Sequence, residues 1–196
     1  MCETIQNISN IVVALAAVVT AGFAVRGVNA WRQEFVGRRR IELAENVLEL
    51  FYEAKDAIAA LRSPFGYLGE GSSREQCPSE SEEEREQRDH ANVTFERYNA
   101  HNHVFNRLKS LNYRFKAQVG IRESKPFEDL RKIVNNILLS AQELALGEAA
   151  GIDSPDDRKK LRRVVYSMME GDEIAAEVDA VCKDIQGTCE SIIHKK

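Results

Sequence analysis

The chain opens with a run that carries no charge from Thr4 to Val25, 22 residues. Its centre, Ile11–Val25, is apolar almost throughout, and Gln6, Asn7, Ser9 and Asn10 dilute its start. A helix rises ~1.5 Å per residue, so the run reaches roughly 33 Å, enough for a hydrocarbon core of about 30 Å. From Gly37 to Leu61 the pattern changes. Ile41, Ala44, Val47, Leu48, Phe51, Ala54, Ile58 and Leu61 recur at three- and four-residue steps. Glu42, Glu45, Glu49, Glu53 and Asp56 form an acidic stripe between them. No proline or loop cluster separates the two patterns, so the first helix is expected to run on into the second, with Gly27 or Gly37 as the place of a bend.

The segment "RSPFGYLGEGSSREQCPSESEEE" (62–84) breaks the periodicity with prolines, glycines, serines and an acid run. It reads as an exposed, partly mobile loop over about 62–82. A second helix is expected from about Glu82 to Val119, with Val93, Tyr98, Phe105, Leu108, Leu111, Phe115 and Val119 on its apolar face and Gly120 at its end. "SKPFEDL" opens a third, with Ser124 as cap, Pro126 in the first turn, and Glu128 and Asp129 at the positive end of the dipole. Its core face is Phe127, Leu130, Ile133, Val134, Ile137, Leu138 and Leu144. "SPDD" starts a fourth, capped by Ser154 and carrying Leu161, Val164, Val165 and Met168. Gly171 and Asp172 separate a last amphipathic helix through Val178, Val181, Cys182, Ile185, Cys189 and Ile192. No strand pattern or internal repeat is present. The expected fold is all-α: one N-terminal transmembrane helix followed by a bundle of about five helices.

Charge decides how the first run is read. A secretory signal has a positive segment before its apolar core and a small-residue cleavage site after it. Here Glu3 precedes the run and Arg26 follows it. Arg26, Arg32, Arg38, Arg39 and Arg40 lie beyond the span against one acid, Glu34. Positive residues stay on the cytoplasmic side. The expectation is therefore an uncleaved anchor over 1–30 with its N-terminus outside, and a cytoplasmic helical domain over 31–196, at a bacterial inner membrane. Trp31 sits where an interfacial aromatic belongs, and Arg38–Arg40 form a juxtamembrane cluster attractive to anionic lipid. The alternative is the amphipathic first helix of a soluble bundle. Ala14, Ala17, Ala21 and Gly22 place small residues on one side of the run, which predicts self-association of the span.

Net charge is −4, which by itself selects no partner. Cys2, Cys77, Cys182 and Cys189 lack metal-ligand spacing and read as reduced thiols. There is no nucleophile motif, glycine-rich phosphate loop or metal constellation, so neither a catalytic residue nor a cofactor is assigned. "RYNAHNH" places five residues between Arg97 and His103, which resembles the Arg-x4–6-His motif of the HEPN helical ribonucleases. A chain with 17 arginines and four histidines meets that spacing by chance. His101 falls in line with Val104 and Leu108 and reads as a packed histidine.

The window between Glu96 and Glu123 holds no acid. It contains Arg97, Arg107, Lys109, Arg114, Lys116 and Arg122, four asparagines and the aromatics Tyr98, Phe105, Tyr113 and Phe115. Arg107 and Arg114 are one heptad apart, as are Lys109 and Lys116. Such stripes suit a line of phosphates, with Tyr113 and the asparagines available for sugar or base contacts. The competing readings are internal pairing with the acidic stripe Glu42–Asp56 and contact with lipid headgroups.

The stretches "AWRQEFVGRRRIELAENVLELFYEAKDAIAALRSPF", "FERYNAHNHVFNRLKSLNYRFKAQVG" and "PFEDLRKIV" resemble a family of short bacterial proteins with an N-terminal membrane span and a helical cytosolic domain. The resemblance covers roughly residues 5–140 and leaves out the last 50. The architecture also resembles the transmembrane effectors of bacterial anti-phage systems, the Hailong system among them. There, a partner nucleotidyltransferase makes DNA oligomers that hold an oligomeric membrane channel shut. The resemblance implies a homo-oligomer, an oligonucleotide ligand and a partner protein encoded alongside, and it assigns no site residue. The rival from another class is a membrane-tethered scaffold that recruits a protein and conducts nothing.

Overall fold

A computed structural model describes residues 2–67, 69–75, 80–147, 152, 154–168 and 170–194, without the side chains of residues 2–12, 14, 83 and 87. Six helices make up the described chain: α1 (Cys2–Leu61), α2 (Glu82–Ala100), α3 (Asn102–Gln118), α4 (Lys125–Leu146), α5 (Pro155–Val165) and α6 (Glu173–Ile193). No strand occurs among the described residues, and the all-α expectation stands. The chain divides into two compact units, Met1–Glu42 and Leu43–Lys196.

The first unit is α1 as far as Glu42. The helix continues unbroken across Gly27 and Gly37, so neither glycine interrupts it. Leu15, Val18, Val19, Phe23, Val25 and Trp31 are all exposed. Among the described residues no helix is long and apolar enough to cross a membrane. The expected span over Thr4–Val25 falls partly outside the described side chains and finds no support among the described residues.

The second unit is built around α4, which packs against α2, α3, α5 and α6. The expected periodicities deliver its core. Leu43, Val47, Leu50, Phe51 and Ile58 of α1 meet Val104, Leu108 and Phe115 of α3, Phe127, Leu130 and Ile137 of α4, and Val178, Cys182 and Ile185 of α6. Burying each large side chain contributes about 1.5–3 kcal/mol. Three aromatics knit α1, α3 and α4 together: Phe127 meets Phe51 edge-on at 4.8 Å and Phe115 at 5.5 Å between ring centres.

Expected helix 82–119 is two helices. His101 sits at φ −98°, ψ 8°, and its N–H bonds back to the Arg97 and Asn99 carbonyls. The reason lies in the faces. α2 buries Ala91 and Thr94, whereas α3 buries Val104, Leu108 and Phe115. At 100° per residue, one straight helix would point these two sets roughly 90° apart. A break among the weak helix formers Asn99, His101 and Asn102 turns both to the core. His101 is half-buried rather than packed in the core.

Two termini also differ from expectation. Ser124 is the cap residue of α4, but its backbone is already helical (φ −87°, ψ 0°) and its hydroxyl donates to the Ile121 carbonyl at 2.7 Å instead of capping. Helix α5 ends at Val165, so Met168 lies beyond it. Ser154, in contrast, caps α5 through the Asp156 N–H, and Asp172 caps α6 through the Ala175 N–H.

Among its described residues the loop after α1 carries several ion pairs and hydrogen bonds. Ser81 and Glu84 form a capping box at the start of α2. Glu80, almost fully buried, takes Arg74 and Arg88 together. Those two guanidiniums, with Arg74 first, hold its carboxyl down to about 2 against the opposing effect of burial. Glu96 accepts from the Gly71 N–H and from Ser73. Gly71 is required as glycine: φ is +89°, and a Cβ there would stand 2.1 Å from the Asp89 carbonyl oxygen.

Candidate anionic-ligand site

The heptad spacing of the basic stripe settles where its members point. Residues seven apart share a face of a helix, but residues two apart diverge by about 200°. Lys109 and Lys116 therefore lie on one side of α3, and Arg107 and Arg114 on the opposite side. The structure brings Lys109, Tyr113 and Lys116 together and separates Arg107 and Arg114 from them.

On the first side α3 and α4 enclose a groove of about 450 Å³. Its floor is Leu108, Phe127, Leu130 and Val134. Tyr98 and Phe105 form one wall, their rings stacked at 5.2 Å and 15°. Lys109, Lys116 and Arg131 supply three cations, Tyr113 an exposed phenol ring, and Asn106, Asn112 and Asn135 amides. Asn112 Oδ1 is buried without a hydrogen-bond partner among the described residues. Nζ of Lys116 donates to Glu128 Oε1 at 2.8 Å. That hydrogen bond holds the Glu128 carboxyl below its ordinary value. The groove has the make-up of a small-molecule site, an apolar floor with a few convergent polar groups, and its volume is within the usual range.

No protein-family model, curated protein or solved structure matches this chain.

On the far side of α3 the competing reading, internal pairing, holds in part. Arg107 Nη1 meets Glu53 Oε2 at 3.1 Å, and His103 Nε2 lies 3.6 Å from Glu53 Oε1. These are exposed contacts, worth little each. Of the acidic stripe only Glu53 takes part in ion pairs with the basic helix among the described residues.

Arg97 has a different occupation. Its guanidinium donates to both oxygens of Glu70 (2.7 and 2.8 Å) and to the carbonyls of Ala60, Ser63 and Phe65. The side chain closes the loop after α1 onto α2. His103 points instead to Glu53.

Among the other expected site residues, Ala17, Ala21, Trp31 and Arg38–Arg40 are all exposed on α1. The side chain of Ala14 lies outside the described residues. Trp31 stacks on Phe35 at 5.6 Å, Arg39 covers the other aromatic at 4.6 Å, and Arg38 pairs with Glu34 at 2.6 Å. Cys182 and Cys189 are buried free thiols, and burial pushes the Cys189 thiol up to about 12.

Sequence reasoning missed Arg131 and Asn135 as members of the groove. A helical wheel carries the signal: Glu128, Arg131 and Asn135 follow at three- and four-residue steps beside the core face Phe127–Leu130–Val134. Among the described residues no group of histidines, cysteines and carboxylates is placed to hold a metal ion.

Proposed function

We propose that this chain is a single-pass, self-associating inner-membrane effector. In this reading the uncharged run of α1 crosses the bilayer with its N-terminus outside. The helical domain binds an anionic nucleotide ligand and that ligand controls membrane permeability, in a defence role of the anti-phage type. A partner protein encoded alongside would make the ligand. The observation that carries the ligand reading is the α3–α4 groove, where three cations stand beside a stacked aromatic wall. Phosphates suit the cations and a base suits the aromatics. The five arginines beyond the uncharged run support the topology.

The test is binding of a labelled DNA strand to the detergent-solubilised full chain across a salt series. Each neutralised phosphate of a single strand contributes about 0.7 to the slope of log affinity against log salt. Lys109→Ala and Lys116→Ala are each expected to lower affinity and flatten that slope while the melting temperature holds. Absence of binding at low salt, with both variants destabilised, would remove the ligand reading.

A further inference from the structure

The separation of the two basic pairs limits what the groove holds. A strand tracking α3 would need Arg107, Lys109, Arg114 and Lys116 on one surface, and the helix places them on two. Lys109 and Lys116 are separated by two turns, about 10 Å along the axis. Folds that hold single strands occupy about 4–16 nucleotides. A groove of about 450 Å³ closed by Phe127, Leu130 and Val134 has no room for such a run.

We infer that the α3–α4 groove takes one nucleotide unit, either a free mononucleotide or the phosphate-bearing end of a strand. This rests on the nucleotide reading above. The base lies in the groove against the Tyr98–Phe105 wall, and the phosphate meets Lys109, Lys116 and Arg131 at the rim. Glu128 is the gatekeeper. Its carboxylate already occupies Lys116 at 2.8 Å, and a ligand phosphate must displace it. A dianionic terminal phosphate does so better than the monoanionic diester of an internal linkage.

The experiment uses the full chain in detergent with 5′-deoxynucleoside monophosphates, deoxyribose 5-phosphate, orthophosphate, and short and long strands with and without a 5′-phosphate. Mononucleotides are expected to bind as tightly as a long phosphorylated strand and to compete with it. Loss of the base in deoxyribose 5-phosphate should cost roughly tenfold, the scale of one base–aromatic stack. Glu128→Gln should tighten binding. Arg107→Ala and Arg114→Ala should leave affinity and salt slope alone. Affinity that climbs with strand length and falls in Arg107→Ala and Arg114→Ala would overturn the single-unit site and leave the oligonucleotide reading standing. Binding of neither mononucleotide nor strand would overturn both. Binding of orthophosphate as tight as that of a nucleotide would remove the base from the inference.

Discussion

At Arg62 a guanidinium only 2 % exposed faces a carboxylate 110 residues along the chain. It donates to both oxygens of Asp172 at 2.8 and 3.0 Å, and to the carbonyls of Arg163, Val164 and Tyr166. Asp172 in turn accepts from the N–H groups of Met168 and Ala175. Burial works against the ionised carboxyl, but these hydrogen bonds keep its pKa below the ordinary value. The end of α1 is thereby fixed to the end of α5 and the start of α6. Removing one member of a buried pair strands the other, so Arg62→Ala is expected to cost about 3–5 kcal/mol in a denaturant melt. Asp172→Asn keeps the helix cap and should cost less than Asp172→Ala. None of this was legible beforehand. Asp172 showed itself as a helix boundary, but a pairing partner so distant in the chain leaves no local pattern. Ser154 and Pro155 did show, because a cap and the helix it starts are neighbours.

Elements were the most legible scale, since a buried helix face writes itself at three- and four-residue steps. The faces of α1, α4 and α6 came through that way. What periodicity hid was a change of direction within it, as at His101, where both halves stayed apolar on different sides. The serines, glycines and acids of the loop after α1 mark it as a break, and periodicity says nothing of the contacts by which Arg88 and Arg97 of α2 attach its acids Glu80 and Glu70. That attachment has a pH dependence. Glu80 ionises at about 2 when folded against 4.5 ordinarily. Glu70, through the Arg97 hydrogen bond, and Glu96, through those of Ser73 and Gly71, are lowered too. Depressed carboxylates stabilise fully above their unfolded values and lose that contribution as pH falls through the folded ones. Hydrogen-exchange protection factors at residues 69–75, taken relative to the intrinsic rate at each pH, should hold above about pH 4.5 and fall progressively toward pH 2. Protection as low at neutral pH as in acid would show the ion pairs do not hold the loop.

For the whole molecule the sequence speaks about the membrane and the fold about the bundle. The proposed arrangement across a bilayer rests on arginines placed on one side of an uncharged run. A reporter fused after Lys196 is expected to read as cytoplasmic, and activity there of a periplasm-only reporter would refute the orientation. If the proposed self-association holds, Ala17→Leu or Ala21→Phe should reduce the size of the particle in detergent, because close helix approach needs small residues. A helical wheel shows which side chains share a face of α3 or of α4, but that the two faces close on one groove was beyond the sequence, since it depends on how α3 lies on α4, where Phe115 meets Phe127. The buried thiols of α6 carry one more consequence. Cys182 and Cys189 sit a heptad apart on its core face, burial raises both thiols, and that of Cys189, held near 12, is almost never the reactive anion. Nature has in effect sealed two stopwatches inside the bundle: they start only when α6 lifts away, and so they keep time for opening of the domain wherever the chain resides.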